Sequence, residues 1–446
     1  MRACILFISL FFLSVQILSA QELQKISNFY DSLEQKKTKE VYYIANGDSS
    51  KIEGEYVKFY ESGELMAKGS FENGKEHGVF DMYYPNGDIM RTTEFKEGSR
   101  SGKTVVYGKE GNVLQEAYFK NDTLNGKLKL QYPDGQLKSE SDFKDGKPDG
   151  EVLEYFQDGI LAQRITYKKG KPNGVTERYY PNGNLKTEEY YIDGELSGAF
   201  KTFFDNGQLE TVFETQKGVK SGGFKTYDRE GNLLLIGQYK EGQLEGENIS
   251  YFPDGTVKVK RNYKNGFLTG EVLEFRIDES LIVKTIYSKE GKEKEVEEYW
   301  ENENLKSKKY FKGEEPFGEW TYYNTDSELS KLENYSNGQL HGVYAEYFQS
   351  GDLKYEVKYQ ADKKSGLEIS YFGGGQEKET TIYKFGKAHG EYFKYYENGK
   401  VALSGKYAGN KKIEEWKYFD EQGEWLKTEI YFNDKLQDTK FPEEQN

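Results

Sequence analysis

The chain has 446 residues, a net charge of −14 and a mean hydropathy of −0.89. That acidic, polar balance excludes a general nucleic-acid binder, which needs a basic face against phosphate, and a multi-spanning membrane protein. Aromatic residues make up 16% of the chain, with 38 Tyr, 28 Phe and 4 Trp, which excludes a disordered polymer.

Residues 1–20, MRACILFISLFFLSVQILSA, join a short positive start at Arg2 to an apolar stretch and end on small residues. This is the layout of a secretory signal peptide, so the chain is expected to be exported to the periplasm, the outer envelope or the medium. Cys4 is the single cysteine and lies inside this segment. The remainder therefore lacks a disulfide, a thiol nucleophile or a thiolate metal site. Gln21, where a lipoprotein has its lipidated cysteine, gives no anchor. No membrane association is expected after cleavage, because a negative chain is repelled by anionic surfaces.

Residues 21–53 form an N-terminal cap and half-repeat. Val41-Tyr42-Tyr43-Ile44 before Asn46-Gly47 has the look of half a hairpin. The stretch from Gln21 to Lys39 is expected to be helical and to cover the first strand edge.

From Gly54 to Gln437 the chain divides into 16 frames of 24 residues without a net insertion. Counting the first residue of each frame as position 0, Gly occupies position 0 in 14 frames, position 9 in 13 and position 20 in 10. An aromatic residue occupies position 5 in 15 frames, position 17 in 15 and position 6 in 11, and Leu, Ile or Val occupies position 11 in 14. One unit, GVTERYYPNGNLKTEEYYIDGELS (174–197), shows two stretches suited to a pleated surface, separated by Pro181-Asn182-Gly183. No 3.6-residue period runs through it, and each unit therefore reads as a β-hairpin.

The turn can be specified further. A two-residue type I′ turn on Asn-Gly would put Pro at a hydrogen-bonded closing pair, where it has no N–H to give. A type I turn with Pro second, Asn or Asp third and a bulging Gly at φ > 0 avoids that conflict. Position 5 then lies opposite position 11, and alternation is expected to place positions 5, 11, 13, 15 and 17 on one face. Frames within 270–317 are degenerate, with Glu279, Glu290, Lys294, Glu303 and Glu314 at regular glycine positions. Residues 438–446 form a short acidic tail. The fold class is thus all-β, an extended antiparallel sheet of about 16 hairpin units, stabilised by nearest-neighbour units.

Sequences such as YYPNGNL (179–185), FFDNGQL (203–209) and YFPDGTV (251–257) resemble the MORN repeat in its bacterial variant form. The resemblance implies hairpin repeats in an extended sheet. Bacterial members of that family are often labelled as antitoxin components of toxin–antitoxin modules, and others as protein scaffolds, so a protein partner and an antitoxin-like role are what the resemblance implies.

Enzyme chemistry is not legible. His77, His341 and His389 all fall at position 23, two of the separations being many units long, and fit a turn preference better than a metal cluster. No carboxylate pair stands out from the repeat background, and no nucleophile–base motif is present. No catalytic residue, cofactor or metal is expected. The candidate interaction surface is the aromatic row at position 5, Tyr155, Tyr179, Phe203, Tyr227 and Tyr251. The leading expectation is a non-enzymatic, exported scaffold that binds protein. The alternative is a cell-envelope binder of carbohydrate or peptidoglycan along the same aromatic row.

Overall fold

The computed structural model describes residues 22–31, 33–288 and 292–443. The signal-like segment 1–20 lies outside them. The described residues hold forty β-strands and no helix, as an array of hairpins requires. They fall into two compact units: the first runs to Gly198 and takes in Asp205–Gly207, and the second holds Ala199–Phe204 and Gln208 onward. Within each, successive strands pair antiparallel as a meander.

The hairpin turn is the bulged type I. In the unit 174–197 the N–H of Gly183 donates to the Tyr180 carbonyl at 2.9 Å, and that of Tyr180 to the Asn184 carbonyl at 2.8 Å. Gly183 has φ of 85°, whereas Asn182 stays out of the left-handed region that a type I′ turn would demand. Tyr179 lies opposite Leu185, so position 5 does face position 11. The other end of the strands does use two-residue turns, as at Asp193-Gly194, with φ of 49° and 90°.

The degenerate frames keep the turn without its glycine. Glu303 donates its N–H to the Trp300 carbonyl at 3.0 Å and holds φ of 64°, where an L-residue is strained by roughly 1–2 kcal/mol. A pair of substitutions of opposite sign follows. Gly183→Ala should destabilise by about 1 kcal/mol, and Glu303→Gly should stabilise by up to about 1 kcal/mol. Urea midpoints of the two variants check this, and a shift of the same sign in both would contradict the turn geometry.

Two expectations need correction. Leu23–Phe29 is a strand, not part of a helix, and pairs antiparallel with Thr38–Ala45, Ile26 facing Tyr42. A lone helix of this length is marginal in water, whereas the open edge of Thr38–Ala45 offers a full set of backbone partners. The face assignment also changes. Arg178 pairs with Thr187 but Tyr179 pairs with Leu185, so the returning strand carries the extra residue, Lys186. Positions 13, 15 and 17 therefore share a face with 0, 2 and 4, while position 5 lies on the opposite face with 1, 3, 14 and 16. The stacked rings of Phe393 and Tyr395, at positions 3 and 5, report that second face directly.

On the first face, positions 2 and 15 line up strand after strand, as in Val152, Ile165, Thr176 and Glu189. This spine is where burial concentrates: Thr93, Thr104, Ala117, Thr176, Glu189, Phe224, Glu333, Val357 and Trp416 are all buried. Aromatic rings at position 17 pack against it, Tyr407 and Tyr431 flanking Trp416 at centroid distances of 5.0 and 6.3 Å. Several units are also tied to the next by a position-6 side chain. Tyr60, Tyr84, Tyr132 and Tyr396 donate their hydroxyls to the position-5 carbonyls 23 residues on, at 2.7–3.0 Å. Trp300 does the same through its indole N–H at 3.2 Å.

Candidate functional site

The five residues Tyr155, Tyr179, Phe203, Tyr227 and Tyr251 are all half-buried at the ends of equivalent strands, on the face opposite the spine. The ring of Tyr179 is engaged. The Tyr179 hydroxyl donates to Glu177 at 2.7 Å, and Glu177 in turn pairs with Arg164 at 3.1 Å. Burial, reinforced by that carboxylate, pushes the Tyr179 phenol up to about 12. The Tyr155 carbonyl accepts from Tyr132.

Around Tyr227 the same face opens. A groove of about 790 Å³ in the second unit is lined by Val212, Ile236 and Ile249 together with Lys225 and Tyr227, and also by Glu214, Gln238 and Glu247. Val212 faces Lys225, Lys225 faces Ile236, and Ile236 faces Ile249, giving a continuous line across four strands. Gly223 creates the depression. A Cβ there would meet nothing nearer than the Gly237 carbonyl oxygen at 3.9 Å; the equivalent position is Ala199 in the preceding unit and Glu247 and Glu271 in the two that follow. The position-5 row named Tyr227 but not the aliphatic floor. A signal was present: Val212, Ile236 and Ile249 stand at positions that elsewhere carry Glu116, Glu140, Arg164 and Glu177. Such a floor, three aliphatic side chains interrupted by Lys225 with Tyr227, Glu214 and Glu247 beside them, suits an extended peptide segment with both apolar and charged side chains.

The spine face carries the strongest electrostatics. Glu429 receives Lys427 Nζ at 2.7 Å, the Tyr418 hydroxyl at 2.7 Å and the Tyr431 hydroxyl at 3.0 Å. Lys427 first, then the two phenols, hold its carboxyl down at about 2. The same node recurs as Lys331, Glu333, Tyr322 and Tyr335. These tyrosines thus solvate buried and half-buried carboxylates, which explains why Tyr rather than Phe fills these positions. Because the folded value lies below the ordinary one, the stability Glu429 supplies is complete above about pH 4.5 and is lost as pH falls toward 2. The melting temperature should therefore drop across that interval, and Glu429→Gln should flatten part of the drop; parallel curves for the two proteins would refute the assignment.

The family model for the MORN repeat variant matches at eight places, residues 52–73, 76–97, 124–145, 148–169, 172–193, 244–265, 340–361 and 388–408. Each match spans one bulged-turn hairpin of the array just described. The chain belongs to the MORN repeat variant family. No curated protein matches the chain. Among solved structures, this MORN array is similar to a Tc holotoxin pore of Photorhabdus luminescens at 11% identity and a TM-score of 0.15, covering 92% of this chain and 22% of that one. It is also similar to a chain in the crystal structure of TcdB2-TccC3-TEV, at 10% identity and a TM-score of 0.14, covering 92% and 23%. The MORN array thus spans less than a quarter of the length of these chains, and a likeness of this size carries no argument about what it does.

Proposed function

We propose that this MORN-repeat protein is a non-enzymatic, exported scaffold that binds another protein on the face opposite the spine, with the groove around Tyr227 as the principal contact. The observation that supports this reading is the groove itself: Val212, Lys225, Ile236 and Ile249 in a line across four strands, beside a glycine that leaves the space above it open. Export is supported by the signal-like layout of residues 1–20. The antitoxin label attached to bacterial relatives falls within the same reading, with a toxin occluded on that face.

The test is crosslinking capture from envelope extracts, run in parallel with capture on immobilised glycans. Native protein is expected to retain a defined protein, and Gly223→Glu, which refills the depression, to reduce that retention about tenfold or more. Retention on glycan alone, lost on Tyr155→Ala, Tyr179→Ala and Tyr251→Ala, would replace this reading with carbohydrate binding.

A further inference from the structure

We infer that the second unit carries, along the edge formed by its last two-residue turns, a docking line for an acidic polysaccharide with one carboxylate per disaccharide. This inference is independent of the protein partner proposed above. Lys363, Lys387, Lys411 and Lys435 set the line. Each is the first residue after a two-residue turn, paired with Gln360, Lys384, Ala408 and Phe432 in that order. All are exposed, and among the described residues none of them makes an ion pair. Successive lysines are two strands apart, so they repeat at about 9.5–10 Å along the edge. The turn ends 360–365, 384–389, 408–413 and 432–437 hold seven lysines against two aspartates, in a chain whose net charge is −14.

The turn at Phe385-Gly386 adds a ring to this line. Phe385 holds φ of 53° and is 74% exposed. The left-handed region strains a bulky L-residue, and nothing in the chain covers the ring in return. The same place in other units carries Asn73, Asn121, Asn265, Asn337 and Asn433, a residue type that reaches this conformation readily. Gly386 lies against the stem of Lys363, where a Cβ would stand 3.5 Å from that of the lysine, so the Phe385 tip sits beside the first cation of the line. Lys384 stands directly opposite Lys387, a like-charge pair that costs stability until an anion joins it. Strain, an exposed ring and unrelieved positive charge thus meet at one turn.

The spacing selects the occupant. An extended peptide brings same-side groups round roughly every 6.7 Å, out of step with the lysines. Cations in a single file, rather than spread over a plane, do not match a lipid surface. An extended β-linked polysaccharide with a uronate in alternate rings presents its carboxylates at close to the lysine spacing. The intervening ring offers an apolar face that stacks on an exposed aromatic such as Phe385. Each carboxylate then meets an ammonium group that has no partner to give up, in a charge-assisted contact.

Titration calorimetry of the full chain with hyaluronan oligosaccharides, which carry one uronate per disaccharide, tests this at low ionic strength. An octasaccharide, long enough to reach all of the lysines, is expected to bind about tenfold or more tighter than a tetrasaccharide, with affinity falling as salt rises. Lys387→Gln and Lys411→Gln should each weaken octasaccharide binding about fivefold and make it less sensitive to salt. Phe385→Asn should weaken it to a similar degree with its salt dependence unchanged, because it removes a stacking surface and no charge. Circular dichroism of each variant verifies that the sheet is intact. Equal affinity for polyglutamate or for phosphatidylglycerol vesicles, no gain from tetrasaccharide to octasaccharide, or a Phe385→Asn variant that binds as the native chain does would overturn the proposal.

Discussion

Trp416→Ala is expected to destabilise the second unit by about 3–5 kcal/mol, the largest loss of any single substitution in the spine. Trp416 is 1% exposed and is the largest of the fully buried side chains. Its indole packs against Tyr392, Tyr407 and Tyr431, and Lys412 Nζ sits 4.3 Å from its ring centre. Truncation therefore removes the shared wall of three aromatic contacts and leaves a cavity that the rigid sheet cannot close. The loss should be local, because each repeat leans only on its neighbours. Urea unfolding followed by circular dichroism measures the total, and amide exchange should rise in strands 387–395 through 435–440 while leaving the first unit unchanged. A loss below about 1 kcal/mol, or exchange rising uniformly, would show that the spine is not the main source of cohesion.

Gly405→Ala should follow closely, at about 1–3 kcal/mol or more, for the opposite reason. Gly405 lies opposite Tyr392, and a Cβ placed on it would overlap the Trp416 indole ring. The same arrangement recurs where Gly69 underlies Phe80 and Gly237 underlies Phe224 and Asn248. Small residues in the spine are thus the floor on which neighbouring large ones lie. The double variant Gly405→Ala/Trp416→Leu should lose less than the sum of the singles, since a smaller side chain vacates the overlapped volume. Strict additivity of the two would mean that the glycine is needed for its backbone and not for the ring above it.

The repeat period, the hairpin and the bulged turn were legible because each depends on a residue type with one dominant physical reason. Gly183 supplies positive φ, Pro181 presets φ and forbids a donor, and Leu185 answers Tyr179 across the strand. The spine was not legible. Position 2 is Thr176 in one unit, Phe224, Asn248 or Trp416 in others, and position 15 is Glu189, Gly237 or Val357. What recurs there is a small residue beneath a neighbouring large one, as Gly69 beneath Phe80 and Gly405 beneath Trp416, a relation between strands that a column-by-column count of residue types does not register. The face assignment failed for a related reason: one extra residue at Lys186 inverts every side chain beyond it, and the bulge that inserts it belongs to the pairing, not to the composition. Leu23–Phe29 was read as helical because its fate is decided by a vacant strand edge elsewhere in the chain. Of the candidate surface, the aromatic row gave Tyr227, but the groove beside it arises from Gly223, an exception within the repeat that acquires meaning only beside Val212, Ile236 and Ile249.

The tie from the position-6 Tyr and Trp rings to the carbonyl of the following unit bears on how such a gene changes length. Donor and acceptor always belong to adjacent copies, 23 residues apart, so excising one whole period, such as 150–173, delivers the Tyr132 hydroxyl to the Tyr179 carbonyl in place of that of Tyr155. Slippage during replication can therefore add or remove hairpins while keeping this tie, and arrays of different reach become accessible from one ancestor through whole-period deletions.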